Sequence, residues 1–60
     1  MDQEKISKFI KKLRKENNLT QKQLADKYEV TYQAVSKWEN GINLPDVILL
    51  KQMSKDFNKR

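Results

Sequence analysis

Two threonines set the architecture of this chain. Thr20 is followed three residues later by Gln23, a Thr-x-x-Gln capping box in which each side chain satisfies a backbone N–H left unpaired at the other's position. A helix therefore begins at Gln21, buries Leu24 and Ala25, and ends near Lys27 or Tyr28, after which Glu29 and Val30 form a tight connection. Thr31 is the next N-cap, and the segment from Tyr32 to Asn40 presents Val35 and Trp38 at i, i+3 on one face. Gly41 then stands where a residue of positive φ terminates a helix. The centre of the chain is thus two short helices joined by a turn of three or four residues.

The flanks are helical as well. Ile6, Phe9, Ile10 and Leu13 form an i, i+3, i+4, i+7 stripe, with Lys8, Lys11, Lys12 and Lys15 opposite, and predict a first helix from about Gln3 to Glu16. Asn17 and Asn18 tolerate the left-handed conformation that closes a helix, and Leu19 can fold back on its last turn. After a loop over Ile42, Asn43 and Leu44, Pro45 and Asp46 open a fourth helix. The proline's missing N–H costs nothing in a first turn, and the acid faces the positive helix end. Leu49, Leu50, Met53 and Phe57 make the buried stripe of that helix, and Asn58, Lys59 and Arg60 form a frayed tail. One glycine, one proline and no two-residue alternation argue against sheets. The expectation is an all-α, compact four-helix domain over residues 1–60.

Composition narrows the chemistry. With no cysteine and no histidine there is neither a disulfide nor a thiolate or imidazole metal site. A chain of 60 residues buries only about 60% of its unfolded surface. The 37% hydrophobic content is therefore needed almost entirely in the core, leaving little for a small-molecule substrate pocket. Thirteen Lys and Arg against eight Asp and Glu give a net charge of +5, which favours polyanions as partners. The longest apolar run, Val47 to Leu50, is far short of the ~20 residues that span a bilayer, and the N-terminus has an acidic start and no apolar signal core. A cytoplasmic protein without membrane partner is expected. No nucleophile and base, nor a carboxylate constellation, supplies a catalytic site. Asp46 and Asp56 read as a helix-dipole partner and a surface charge. No enzyme activity and no cofactor are expected.

Two short, separately capped helices joined by a tight turn spell a helix-turn-helix, the arrangement that lets a second helix enter the DNA major groove. Residues near the N-terminus of that helix then point at base edges: Thr31, Tyr32, Gln33, Ser36 and Lys37. A glutamine amide both donates and accepts, so Gln33 can pair with adenine N7 and N6. Tyr32 can pack on a thymine methyl or a sugar, and Lys37 can reach guanine or a phosphate. A serine inside a helix often bonds only its own backbone, the plainer role for Ser36. Trp38 invites a reading as a stacking platform, but its spacing from Val35 and its closeness to Ile42 and Leu44 favour core.

The runs Leu-Thr-Gln-Lys-Gln-Leu-Ala from Leu19, Val30-Thr31, and Gln-Ala-Val-Ser-Lys-Trp-Glu-Asn-Gly up to Gly41 resemble the lambdoid phage repressor and Cro family, which includes the bacterial Xre-like regulators. The resemblance spans roughly Ile6 to Phe57 and implies sequence-specific binding of double-stranded DNA by a repressor-type transcriptional regulator. It also assigns residues. Gln21 would reach a phosphate beside the free amides of its helix, and Asn40 would be a second phosphate clamp. Arg14 and Glu39 would form a partly buried ion pair, structural first, in which the guanidinium grips the carboxylate and still offers an N–H to a phosphate. Lys11, Lys12 and Lys15 are most simply a solvated face. If helix 1 crosses the sugar-phosphate backbone, Lys11 and Lys15 above all would add salt-sensitive affinity, with Lys8 a weaker contributor.

The pattern is broken in two places. Glu29 stands where the family usually has glycine, so it either adopts positive φ at a cost of about 1 kcal/mol or the turn is rearranged. The family's fifth helix, which often supplies the dimer contact, is absent or truncated after Phe57-Asn58. The expectation is an excised N-terminal domain, or a natural short protein that binds DNA weakly or forms its homodimer on DNA through an unusual surface. The alternative is a protein-interaction or antitoxin module on the same fold, whose DNA binding would be weak and insensitive to salt.

Overall fold

A computed structural model of the chain describes residues 3–57, so the expected tail over residues 58–60 lies outside them. Four helices and no strands occur among the described residues: α1 (Gln3–Glu16), α2 (Gln21–Lys27), α3 (Tyr32–Glu39) and α4 (Val47–Asp56). α2 and α3 pack closely against each other, and α1 lies on α3. The core is Ile10, Leu13, Leu24, Ala25, Val35, Trp38 and Met53, drawn from all four helices. Ile6, Leu19, Tyr28, Val30, Ala34, Leu49, Leu50 and Phe57 pack around it. Full burial of one large aliphatic side chain stabilises by roughly 1.5–3 kcal/mol, which makes these few side chains the main support of so small a fold.

The caps explain where the helices start. Thr20 Oγ1 accepts from Gln23 N at 3.0 Å while Gln23 Oε1 accepts from Thr20 N at 2.8 Å, the reciprocal box expected. Thr31 Oγ1 accepts from Ala34 N at 3.2 Å, and Asp46 Oδ1 from Leu49 N at 2.8 Å. Because Asp46 is the cap, Pro45 precedes the helix instead of occupying its first turn, and it is buried. This corrects the expected start of α4 by one step: a side chain that reaches an N–H three residues on must sit in the half-in position.

One termination motif closes α1, α2 and α3. Leu19 N donates to Arg14 O at 3.0 Å, Val30 N to Ala25 O at 3.0 Å and Ile42 N to Lys37 O at 2.9 Å, each paired with a bond from the preceding residue that spans three residues, at 3.0, 3.3 and 3.3 Å. That preceding residue is left-handed every time: Asn18 at φ 58°, Glu29 at φ 56° and Gly41 at φ 73°. The α2–α3 turn is therefore not rearranged, and Glu29 accepts the strain. Glu29→Gly is expected to raise stability by about 1 kcal/mol or slightly less, since glycine removes the clash but frees the unfolded chain. For a domain of this size that is about 4–8 °C in Tm. An unchanged or lower Tm would mean that the strain is already relieved.

α1 is rotated relative to its apolar stripe. Phe9 is 40% exposed, whereas Ser7 is buried. Successive residues are about 100° apart around a helix, and the buried arc centres on Ile10 and turns away from Phe9 toward Ser7 and Arg14. Ser7 faces the end of α3, where a Cβ built on Gly41 would lie in ordinary contact with its Oγ, at 3.7 Å. Ser7 Oγ has no hydrogen-bond partner among the described residues. α3 stops at Glu39, one residue earlier than expected, with Asn40 as its C-cap. Phe57 caps α4 and is only half-buried, as are Leu49 and Leu50.

α4 is tied to the end of α2 by a polar contact. Tyr28 Oη donates to Asp56 Oδ2 at 2.7 Å, Gln52 Nε2 donates to Asp56 Oδ1 at 2.8 Å, and Lys27 Nζ lies 5.8 Å from the ring centres of both Tyr28 and Phe57. Asp56 is thus a hydroxyl acceptor and not merely a surface charge. Tyr28's hydroxyl bond, then Gln52's, hold the Asp56 carboxyl below its ordinary 3.8, and burial followed by the Asp56 bond pushes the Tyr28 hydroxyl upward. A depressed carboxyl contributes stability above its unfolded pKa and loses it as pH falls through the lower folded value. Acid titration below about pH 4 should therefore weaken the fold, and Tyr28→Phe should flatten that limb of the stability curve. Equal acid sensitivity in the variant would assign the effect to other groups.

Candidate nucleic-acid interface

The outward face of α3 follows from its buried one. Val35 and Trp38 are in the core, so Tyr32, Gln33, Ser36 and Lys37 occupy the opposite arc, about 140° wide at about 100° per residue. Tyr32 is 53% exposed, Gln33 and Lys37 are exposed, and Ser36 is half-buried. Thr31, just before the helix, is exposed, but its oxygen already accepts the capping bond, which leaves its O–H as the group available outward. Gln33 and Lys37 also border an open groove whose far wall is the loop over residues 43–46, which the sequence did not single out. Trp38 is 5% exposed and offers no platform to a base.

Behind this face, three helices meet at one charged cluster. Arg14 Nε donates to Glu39 Oε2 at 2.6 Å and Nη2 to Glu39 Oε1 at 3.0 Å, the bidentate grip expected, while Nη1 donates to the Leu19 carbonyl at 2.8 Å. The side chains are only 13% and 3% exposed respectively. The Glu39 bond raises the already high Arg14 pKa, so the guanidinium stays charged. Three of its five N–H groups are used, and one remains on each terminal nitrogen.

Gln21 joins the cluster: its Nε2 donates to Glu39 Oε1 at 3.2 Å. Asn40 Nδ2 lies 3.3 Å from Ser36 Oγ, so Ser36 turns its oxygen toward the end of its own helix. Lys11 and Lys15 are exposed one turn apart on α1, as is Lys12, whereas Lys8 pairs with Glu4 at 3.7 Å. The structure therefore brings Arg14, Gln21 and Glu39 into contact, and Lys11 shares an open groove with Glu39, Asn40 and Gly41 at the end of α3. The link between Gln21 and Glu39 had no sequence signal, because it joins positions 18 residues apart through the packing of α2 on α3.

No group of three or more acidic residues among the described residues is arranged to hold a metal ion, and no helix there is long and apolar enough to cross a membrane. The helix-turn-helix family model matches residues 10–60. The HTH-type transcriptional activator BcrR of Enterococcus faecalis is 45% identical over 49 residues, which are 82% of this chain and 24% of BcrR. The chain thus spans about a quarter of the length of that relative. No solved structure matches it. Four helices with α2 packed closely on α3, the paired threonine caps and a family match over most of the chain lead to one assignment: the chain belongs to the helix-turn-helix family of DNA-binding regulators, of the Xre-like type.

Proposed function

We propose that the chain reads double-stranded DNA in a sequence-specific way, with α3 in the major groove, as the DNA-binding module of a transcriptional regulator and without catalysis or cofactor. The observation that carries this reading is the outward row of exposed Tyr32, Gln33 and Lys37 with half-buried Ser36, on a helix whose other face is locked into the core by Val35 and Trp38. A rigid helix presenting polar side chains outward is what base readout requires. Thr31 completes the base-reading set. Gln21, Asn40, Arg14, Lys11 and Lys15 take the phosphates, and two copies bind as a homodimer on half-sites about 34–36 Å apart.

Titration against a pool of random duplexes at two salt concentrations tests the assignment. Gln33→Ala should relax preference at one base position and cost about 1–3 kcal/mol on the preferred site. Lys11→Ala and Lys15→Ala should weaken all duplexes alike and each lower the salt slope by about 1. Base preference untouched by Gln33→Ala would place the recognition surface elsewhere. The repressor-type assignment rests on the sequence resemblance, and BcrR is by name an activator. A reporter with the selected site inside its promoter decides between them: transcription that falls supports repression, and transcription that rises overturns it.

One observation favours the interaction-module reading. Ile42, Val47 and Ile48 are 66%, 57% and 81% exposed, an apolar set suited to a protein contact. If no duplex binds more tightly than the ~10⁻⁴–10⁻⁶ M typical of non-specific association, that reading takes over.

A further inference from the structure

We propose that Glu39 is a positioning residue for the Gln21 phosphate contact: its carboxylate, held in place by Arg14, fixes one Nε2–H of Gln21 and leaves the other for a backbone phosphate. The inference rests on the DNA-binding reading above and adds to it a role for a negative charge in holding a polyanion.

The geometry is a relay of fixed groups. Glu39 is 3% exposed, so its carboxylate cannot swing into solvent, and Arg14 grips both of its oxygens at 2.6 and 3.0 Å. Arg14 is anchored in turn by the Leu19 carbonyl at 2.8 Å, one residue before the Thr20 cap. Glu39 Oε1 then accepts from Gln21 Nε2 at 3.2 Å. A primary amide has two N–H donors on one nitrogen, and the plane of the amide places the second once the first is held. Glutamine is otherwise among the side chains that lose most rotamer freedom when ordered. Ordering it before the duplex arrives lowers the cost at the moment of binding. A carboxylate beside a phosphate would ordinarily repel it, but here the charge is already matched by Arg14.

By charge alone, Glu39→Gln should strengthen DNA binding. Positioning predicts the reverse, because a glutamine amide has one acceptor oxygen: it cannot take the Arg14 fork on two oxygens, its NH2 would face the Arg14 Nε–H, and the oxygen that fixes Gln21 is no longer held in place. The test is a double-mutant cycle on the best duplex, using wild type, Gln21→Ala, Glu39→Gln and the double variant. Folded fraction is checked by circular dichroism at the assay temperature. Glu39→Gln is expected to weaken binding about five- to tenfold when Gln21 is present, and by a clearly smaller factor, through Arg14 alone, when it is alanine. Equal losses in both backgrounds, or a gain with Gln21 present, would overturn the proposal.

Should Glu39→Gln unfold the chain, the side-chain amide spectrum of the unaltered protein decides. Gln21 Nε2 proton signals displaced from exposed-amide positions, with one moving further when duplex is added, support the role. Two signals matching a freely rotating exposed amide refute it. If the unaltered chain binds no duplex, the DNA-binding reading fails and takes the proposal with it. Binding that persists with additive losses sinks the proposal alone.

Discussion

Arg14→Ala is expected to destabilise the fold by about 3 kcal/mol or more, the largest effect of any single surface-proximal change. The variant leaves Glu39, 3% exposed, as an unpaired buried carboxylate, and removing one partner of a buried pair typically costs about 3–5 kcal/mol. It also strips the Leu19 carbonyl of its donor at the junction of α1 and α2. A chain of 60 residues has a total stability of about 3–9 kcal/mol, so the variant should lose a third or more of it, and at the lower end of that range be largely unfolded at 25 °C. Arg14→Lys should recover little, since an ammonium cannot span two carboxylate oxygens and a carbonyl at once. Replacing both partners, as Arg14→Met with Glu39→Leu, should restore much of the loss because no charge is then stranded. Urea denaturation followed by circular dichroism measures all three. A midpoint for Arg14→Ala equivalent to less than about 1 kcal/mol would show that Glu39 finds water or another donor.

The second large effect belongs to Trp38. At 5% exposure and in contact with the common core, it should lose about 3–5 kcal/mol as Trp38→Ala and considerably less as Trp38→Phe. The consequence for DNA is specific. Trp38 lies on the buried side of α3, so the folded fraction of either variant should keep the wild-type base preference, and apparent affinity should fall only by the unfolded fraction. Duplex selection under conditions that stabilise the fold separates the two roles. A changed base preference in Trp38→Phe with an intact fold would move Trp38 from the core to the interface.

These two residues differ in how readable they were. Trp38 could be assigned to the core from its spacing to Val35, because helical periodicity is a local property. The Arg14 and Glu39 pair could be expected only through the family resemblance, since nothing near either residue says that α1 and α3 will meet there. The third member, Gln21, was assigned a phosphate and turned out also to hold Glu39. Ser36 is a different case: its oxygen meets the Asn40 amide four residues on, a local contact that a reading of Ser36 as bonding only its own backbone passes over.

The sequence by itself determined where three of the helices begin and how the first and third end. Thr20, Thr31 and the Asn18 and Gly41 stops act on atoms within a few residues of themselves, so their consequences are written locally. It left Glu29 undecided, because a residue that disfavours positive φ can bend or comply. Tertiary structure settled that in favour of compliance, since α2 and α3 must pack with Leu24, Ala25, Val35 and Trp38 together, and the turn conforms to the core. Packing also decided what periodicity could not: that α1 rotates Phe9 out and Ser7 in, that Tyr28 reaches Asp56 across 28 residues, and that Arg14, Gln21 and Glu39 converge. Capping energies depend on neighbours along the chain. The angle at which helices meet depends on every side chain between them, which is why the cluster behind the DNA-facing helix appears only once the helices are assembled.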